Sequence, residues 1–235
     1  MSDRILAGGL LAAGLVIAAW ILAPALHSIG QSDHYVEVKG LAEREIPANL
    51  AIWPLVYSAT GNDLPQVQAT IEQDAERILA FLVAQGFKPE DISRSPPRIT
   101  DKLSQQYGGD GAVRGSRYTA EATVLLRTEQ IQPLRRAQQQ AGELVRSGVV
   151  LMHQWGAQTQ FLYTDLNAIK PDMIAEATRN GREAAARFAE DSGATVGRLL
   201  RARQGLFSIT DRDPYSPEIK RIRVVSTLEY QLVDD

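Results

Sequence analysis

The chain has 235 residues, of which 44% are hydrophobic, a formal charge of −3 and no cysteine. That length supports one large domain or two small ones with a real core, and the missing cysteines exclude disulfides, thiolate catalysis and zinc–thiolate sites. The slightly acidic balance offers no electrostatic case for nucleic acid as a partner.

Residues 5–26 (ILAGGLLAAGLVIAAWILAPAL) contain no charged or amide side chain. At about 1.5 Å per residue a helix of this run spans roughly 33 Å, the hydrocarbon thickness of a bilayer. Arg4 and the α-amine favour the cytoplasmic side, and Trp20 falls near the far end, where an interfacial aromatic belongs. The expectation is a single-pass membrane anchor with the rest of the chain exported. The competing reading is a secretory signal cleaved near Ala25, at Ala23-Pro24-Ala25, leaving a free exported protein. Residues 1–27 are therefore assigned to anchor or signal, 28–34 to a polar linker and 35–235 to the exported domain.

Residues 35–39 alternate, with Val36 and Val38 on one side and Glu37 and Lys39 on the other, which predicts a strand. Leu50, Ile52 and Val56 repeat at period two through a second strand, and Pro54, lacking the ladder N–H, places it at a sheet edge or a bulge. Asp63-Leu64-Pro65-Gln66 reads as a helix start, with Asp63 as N-cap and Gln66 at the capping-box position. Leu64, Val67, Ile71, Ala75, Ile78, Leu79 and Leu82 follow at helical spacing until Gly86. Residues 93–106 read as an extended strand, 107–115 as a turn, and Tyr118, Ala120, Ala122, Val124 and Leu126 as the returning strand.

A helix is expected over 129–146, blurred at its start by Pro133 and closed by Ser147-Gly148. A short strand at 158–163 precedes a long Ala-rich helix over 171–191, with Ile174, Ala177, Gly181, Ala184, Ala185 and Phe188 on one stripe and Gly193 as its stop. A strand near 198–209, a loop over 210–217 and a last strand with Ile222, Val224, Leu228 and Tyr230 on one face complete the chain. Helix, glycine, strand, loop, strand occurs twice, around Gly86 and Gly193, an echo of element order. The expected fold class is α+β: a two-lobed module of antiparallel or mixed sheet with packed amphipathic helices, preceded by one N-terminal transmembrane helix.

Several local patterns occur together. They are Val36-x-Val38-x-Gly40, a strand starting Pro47-Ala48, a helix running into Gly86-Phe87 and Asp91-Ile92, Tyr118-x-Ala120, and a late Ala-rich helix before a Val-rich closing strand. In this order they resemble the SIMPL-domain family of bacterial envelope proteins, over about residues 34–232. Ala42 and Asn49 stand where the family usually has glycine and aspartate, which marks a divergent member. The resemblance implies an anchor in a bacterial inner membrane (or, after cleavage near Ala25, a free periplasmic protein) and a periplasmic α+β domain that tends to self-assemble, in some members into ring-like or channel-like oligomers. It carries no catalytic motif, so no active-site residues come with it.

The residues supply few candidates of their own. His27, His34 and His153 would have to converge with a carboxylate to hold a metal, and they read as linker and surface residues. No Gly-x-Ser-x-Gly elbow accompanies them. Gly108-Gly109-Asp110-Gly111 has neither the lysine nor the following helix of a phosphate loop. Asp211-Arg212-Asp213 lacks the oxygen count for calcium and reads as a solvated turn. Arg201 and Arg203 share one strand face, as do Arg221 and Arg223; if their strands pair, four guanidinium groups would line one side of a sheet and meet an anion or partner.

No catalytic, cofactor or metal site is therefore expected. The leading expectation is a tethered envelope protein that acts as a homo-oligomer or binds an envelope protein partner. The alternative is an anion-, lipid-headgroup- or small-molecule-binding module using the four arginines, and an enzyme of unrecognised type comes third.

Overall fold

The computed structural model describes residues 34–104, 115–152 and 157–234. The expected membrane span, His27, His153 and the Gly108–Gly111 loop lie outside the described residues; among those described, no helix is long and apolar enough to cross a membrane. The fold is mixed α+β. In chain order it runs β1 (Tyr35–Pro47), β2 (Leu50–Gly61), α1 (Leu64–Ala84), a 3-10 turn (Pro89–Asp91), β3 (Ile92–Arg94), β4 (Arg98–Asp101) and β5 (Tyr118–Thr128). Then come α2 (Ile131–Gln140), α3 (Gly142–Arg146), β6 (Val150–Met152), β7 (Gln160–Leu162), α4 (Leu166–Asp191), β8 (Ala194–Gln204), β9 (Ser208–Asp211) and β10 (Ile219–Asp234). The chain divides into two compact units, crossing between them after Ala42, Met173, Leu206 and Arg223.

The larger unit, residues 43–173 and 207–223, is built on a six-stranded sheet ordered β3-β5-β2-β6, with β4 also pairing β5 and β7 also pairing β2. Its pairs are antiparallel, and β2 lies along β5 without slip from Ala51↔Thr128 to Gly61↔Tyr118. Ala120, Ala122, Val124 and Leu126 of β5 bury as their alternation predicts. On β2 the core face is Ala51, Trp53, Leu55, Tyr57 and Ala59, the set opposite to Leu50, Ile52 and Val56. Both faces of this strand are apolar, so period two alone could not say which face meets the helices.

Pro54 sits in an interior strand rather than at a sheet edge. On the flank away from β5, β7 covers Leu50–Ile52 and β6 covers Val56–Ser58, so Pro54 falls in the gap between two short neighbours, where a missing N–H leaves no ladder bond broken.

Helix α1 begins as expected, with Asp63 Oδ1 accepting from Gln66 N at 2.8 Å and proline in the first turn. It buries Val67, Ile71, Ala75, Ile78 and Leu82 against the sheet. Burial of each of the four larger side chains contributes about 1.5–3 kcal/mol. Gly86, at φ +93°, turns the chain out of the helix so that Phe87 N can reach back to Leu82 O. The expected helix over 129–146 is two, α2 and α3, parted at Ala141, and Pro133 falls in the first turn of α2, where its missing donor has no partner to lose. The expected strand over 93–106 is likewise two short strands, interrupted at Ser95-Pro96-Pro97.

The smaller unit takes the chain up to Ala42, residues 174–206 and residues 224 onward. Its sheet contains part of β1, the later part of β10 and β8, in that order, and Leu232 N donates to His34 O at 2.7 Å. Val36, Ala185, Leu228 and Tyr230 form its apolar cluster. The helix buries one residue per turn, Ala177, Gly181, Ala185 and Ala189, while Ala184 and Phe188 of the expected stripe face outward, Phe188 being 54% exposed. A four-residue spacing drifts slowly round the helix, and the narrow face it makes is the one that fits a flat sheet. Helix α4 starts at Leu166, so Pro171 lies inside it. Its C-terminus is turned by Gly193, at φ +71°.

Candidate functional site

The four arginines divide between the units. Strand β8 pairs with β10 from Ser226 onward, which sets Arg201 opposite Glu229 and Arg203 opposite Thr227. The earlier part of β10 pairs with β9 instead, setting Arg221 opposite Thr210 and Arg223 opposite Ser208. The expected strand over 198–209 breaks at Gly205, and its end becomes β9; that break changes which strand each arginine pair faces.

Arg201 Nη1 donates to Glu229 Oε1 at 3.2 Å, and with Glu37, Lys39, Arg203 and Thr227 these two line a small polar cleft of about 200 Å³. Arg221 lies 3.4 Å from Glu43 through Nε and 3.4 Å from Glu45 through Nη2. Both arginines thus have carboxylates beside them before any ligand arrives. Arg203 and Arg223 are exposed and make no ion pair among the described residues.

The loop over 211–213 spends its carboxylates internally. Asp211 pairs with Lys220, and Asp213 accepts from Arg212 Nε at 3.0 Å and from Tyr215 N at 2.8 Å. The hydrogen bond from Arg212 holds the Asp213 carboxyl below the usual carboxylate range. Among the described residues no group of three or more His, Asp or Glu is placed to hold a metal ion.

Sequence reasoning missed a second cleft. Between α1 and the β3–β4 side of the sheet lies a hollow of about 560 Å³, floored by Tyr57, Ile71, Ala75 and Ala122. At its rim Arg94 Nη1 donates to Glu76 Oε1 at 2.8 Å, joining β3 to α1, and this bond holds the Glu76 carboxyl below its ordinary range. Tyr57 is only 3% exposed; its hydroxyl keeps a little contact with water and makes no hydrogen bond with a described residue. Burial pushes its ionisation up from 10.0; the Arg94 cation opposes that shift and the Asp74 carboxylate adds to it. Asp74, buried on the core side of α1 and bonded to Arg77 at 2.9 Å, is itself pushed up by burial. The only sequence signal for this hollow was Tyr57 in an apolar strand, which reads equally well as core.

These features define an α+β domain of antiparallel sheets in which the charged groups at both clefts include ion pairs. The SIMPL family, described as a protein of unknown function (DUF541), matches residues 36–225, and the chain belongs to that family. No curated protein matches the chain. The family's opening Val-x-Val-x-Gly has a structural cause here: at Gly40 an added Cβ would stand 1.8 Å from Ala177 O of α4. Asn49, in place of the usual aspartate, accepts from Thr164 N at 2.9 Å and so still ties β2 to the segment after β7.

Proposed function

We propose that this chain is a membrane-tethered, periplasm-facing SIMPL protein that acts by contact, through self-association or an envelope protein partner, rather than by chemistry. The observation that carries the reading is the apolar border of the smaller unit. Strand β8 ends its sheet and exposes Leu199 and Leu200, and Leu206 just beyond it is 94% exposed. Exposed large apolar side chains grouped on one strand mark an interaction surface. Register shifts at Glu229/Tyr230 and Tyr230/Leu232, together with three arginines, guard the edge of β8 against simple strand addition, so its side chains rather than its backbone make the contact. The apolar run over 5–26 supports the tether, which raises the local concentration of every copy on the same membrane.

Crosslinking and native mass measurement of the full-length protein extracted from its own membrane test this. An oligomer or a reproducible crosslinked partner is expected, weakened by Leu200→Glu with Leu206→Glu. A strict monomer with no crosslinked neighbour overturns it.

A second reading, an anion or lipid-headgroup site on β8, is favoured by Arg203, which is exposed and makes no ion pair among the described residues. It requires inorganic phosphate or anionic lipid to raise the melting temperature, and Arg203→Ala to remove the shift.

A further inference from the structure

The hollow over Tyr57 is independent of the contact surface on β8. We infer that it is a binding site for a small, mostly apolar, uncharged molecule carrying a carbonyl or ether oxygen, which accepts a hydrogen bond from the Tyr57 hydroxyl.

Three observations carry this. The first is size: about 560 Å³ lies within the range of small-molecule sites. The hollow exists because Ala75 and Ala122, not larger residues, meet beneath it.

The second is the polar group in the floor. Tyr57 is only 3% exposed, and its hydroxyl keeps a little contact with water while making no hydrogen bond with a described residue. Its hydroxyl remains protonated at neutral pH, so it has a hydrogen to donate. An oxygen acceptor on a bound molecule replaces that water.

The third is charge. Among the described lining residues Arg94 is the cation, and it is bonded to Glu76, while Glu72 adds a further carboxylate at the rim. An anion would meet two acidic groups and a cation already engaged. A cation would gain from Glu72 alone, at the exposed mouth, and would have to shed its water to reach the apolar floor. The uncharged carbonyl compound is the class that matches floor, hydroxyl and rim together.

The test uses full-length protein in amphipol with ¹³C-methyl alanine, reading the Ala75 and Ala122 methyl signals. The probes are acetophenone, toluene and benzoate. They share a ring and differ in offering a neutral oxygen, no oxygen or a carboxylate. Because the readout is local, partition into the amphipol affects wild type and variants alike.

Acetophenone is expected to shift both methyls saturably, at least tenfold more tightly than toluene or benzoate. Tyr57→Phe brings acetophenone down to the level of toluene. Ala69→Trp, at an exposed helix position on the rim, abolishes binding while leaving the fold intact. Equal affinity for all three probes, tighter binding of benzoate, indifference to Tyr57→Phe, or no shift at all overturns the inference. Oligomer formation, measured on the same samples, reports separately on the contact reading.

Discussion

Gly40 of β1 and Gly181 of α4 meet backbone to backbone, with no side chain between them. A Cβ on Gly40 would stand 2.5 Å from Gly181 N, and one on Gly181 would stand 3.2 Å from Gly40 N. The helix therefore lies on the strand as closely as two main chains permit, and Asn180 Nδ2 fastens the neighbouring carbonyl, Leu41 O, at 2.7 Å.

The two glycines predict unequal costs. Gly40→Ala drives its methyl into a helix carbonyl that cannot move alone, and should destabilise by about 3 kcal/mol or more. At Gly181 the nearest obstacle is Leu228 Cδ1 at 2.7 Å, the end of a flexible side chain, and the helix gains about 1 kcal/mol of propensity. Gly181→Ala should therefore cost clearly less than Gly40→Ala. Urea denaturation of both variants checks the order, and near-neutrality at Gly40 would contradict the close packing.

Asp74 predicts a pH dependence. Its carboxyl is pushed up from 3.8 by burial, with the Arg77 bond opposing. The folded chain thus holds this proton more tightly than the unfolded chain, and the group's contribution to stability falls as pH rises from about 3.8 through the folded value. Asp74→Asn removes that loss. The melting temperature of the variant should gain on wild type between pH 4 and neutrality and converge with it in stronger acid. The depressed carboxyls Glu76, Asp101 and Asp213 act in the opposite sense, losing stability as pH falls, but they are common to both proteins and cancel. A difference that stays flat with pH would show that Asp74 does not titrate abnormally.

Tyr57→Phe deletes a hydroxyl that bonds no described residue. Where a buried tyrosine is hydrogen-bonded, the change costs about 1 kcal/mol; here the unliganded protein should lose less than about 0.5 kcal/mol, or gain. Tyr57 holds its proton above 10.0, so wild type should lose ground to the variant as pH rises past that value. Chemical denaturation at pH 7 and pH 10.5 measures both effects, and a clear loss at pH 7 would reveal a partner for the hydroxyl.

Pro171 interrupts the hydrogen bonding of α4 near its start. Pro171→Ala restores a backbone donor and should stabilise by roughly 2 kcal/mol, after the greater freedom of the unfolded alanine chain is subtracted. A destabilised variant would mean that the proline ring is needed for packing.

Much of the fold can be read in the chain because its causes are local. The Asp63 cap, the stop at Gly86, the alternation from Ala120 to Leu126 and the inward set Ile222, Val224, Leu228 and Tyr230 each rest on neighbours in sequence. The ordered motifs also placed the chain in its family. What escaped was long-range. Leu50, Ile52 and Val56 mark β2 by their period of two, but its other face is equally apolar, and only the seating of α1 chose between them.

The arginines show the same division. Their alternation put Arg201 with Arg203 and Arg221 with Arg223, and strand geometry honours both pairs. Which strand lay beside them depended on the break at Gly205, where a glycine N–H bonds to Val225 O at 2.8 Å across the sheet. Likewise, residue spacing could place Tyr57 in a buried strand, but the hollow above it arises from small side chains brought together from α1 and β5. Periodicity and capping are properties of a few adjacent residues and survive in the sequence alone. Register, the choice between two apolar faces and the empty space over a hydroxyl depend on atoms far apart along the chain, and only packing in three dimensions decides them.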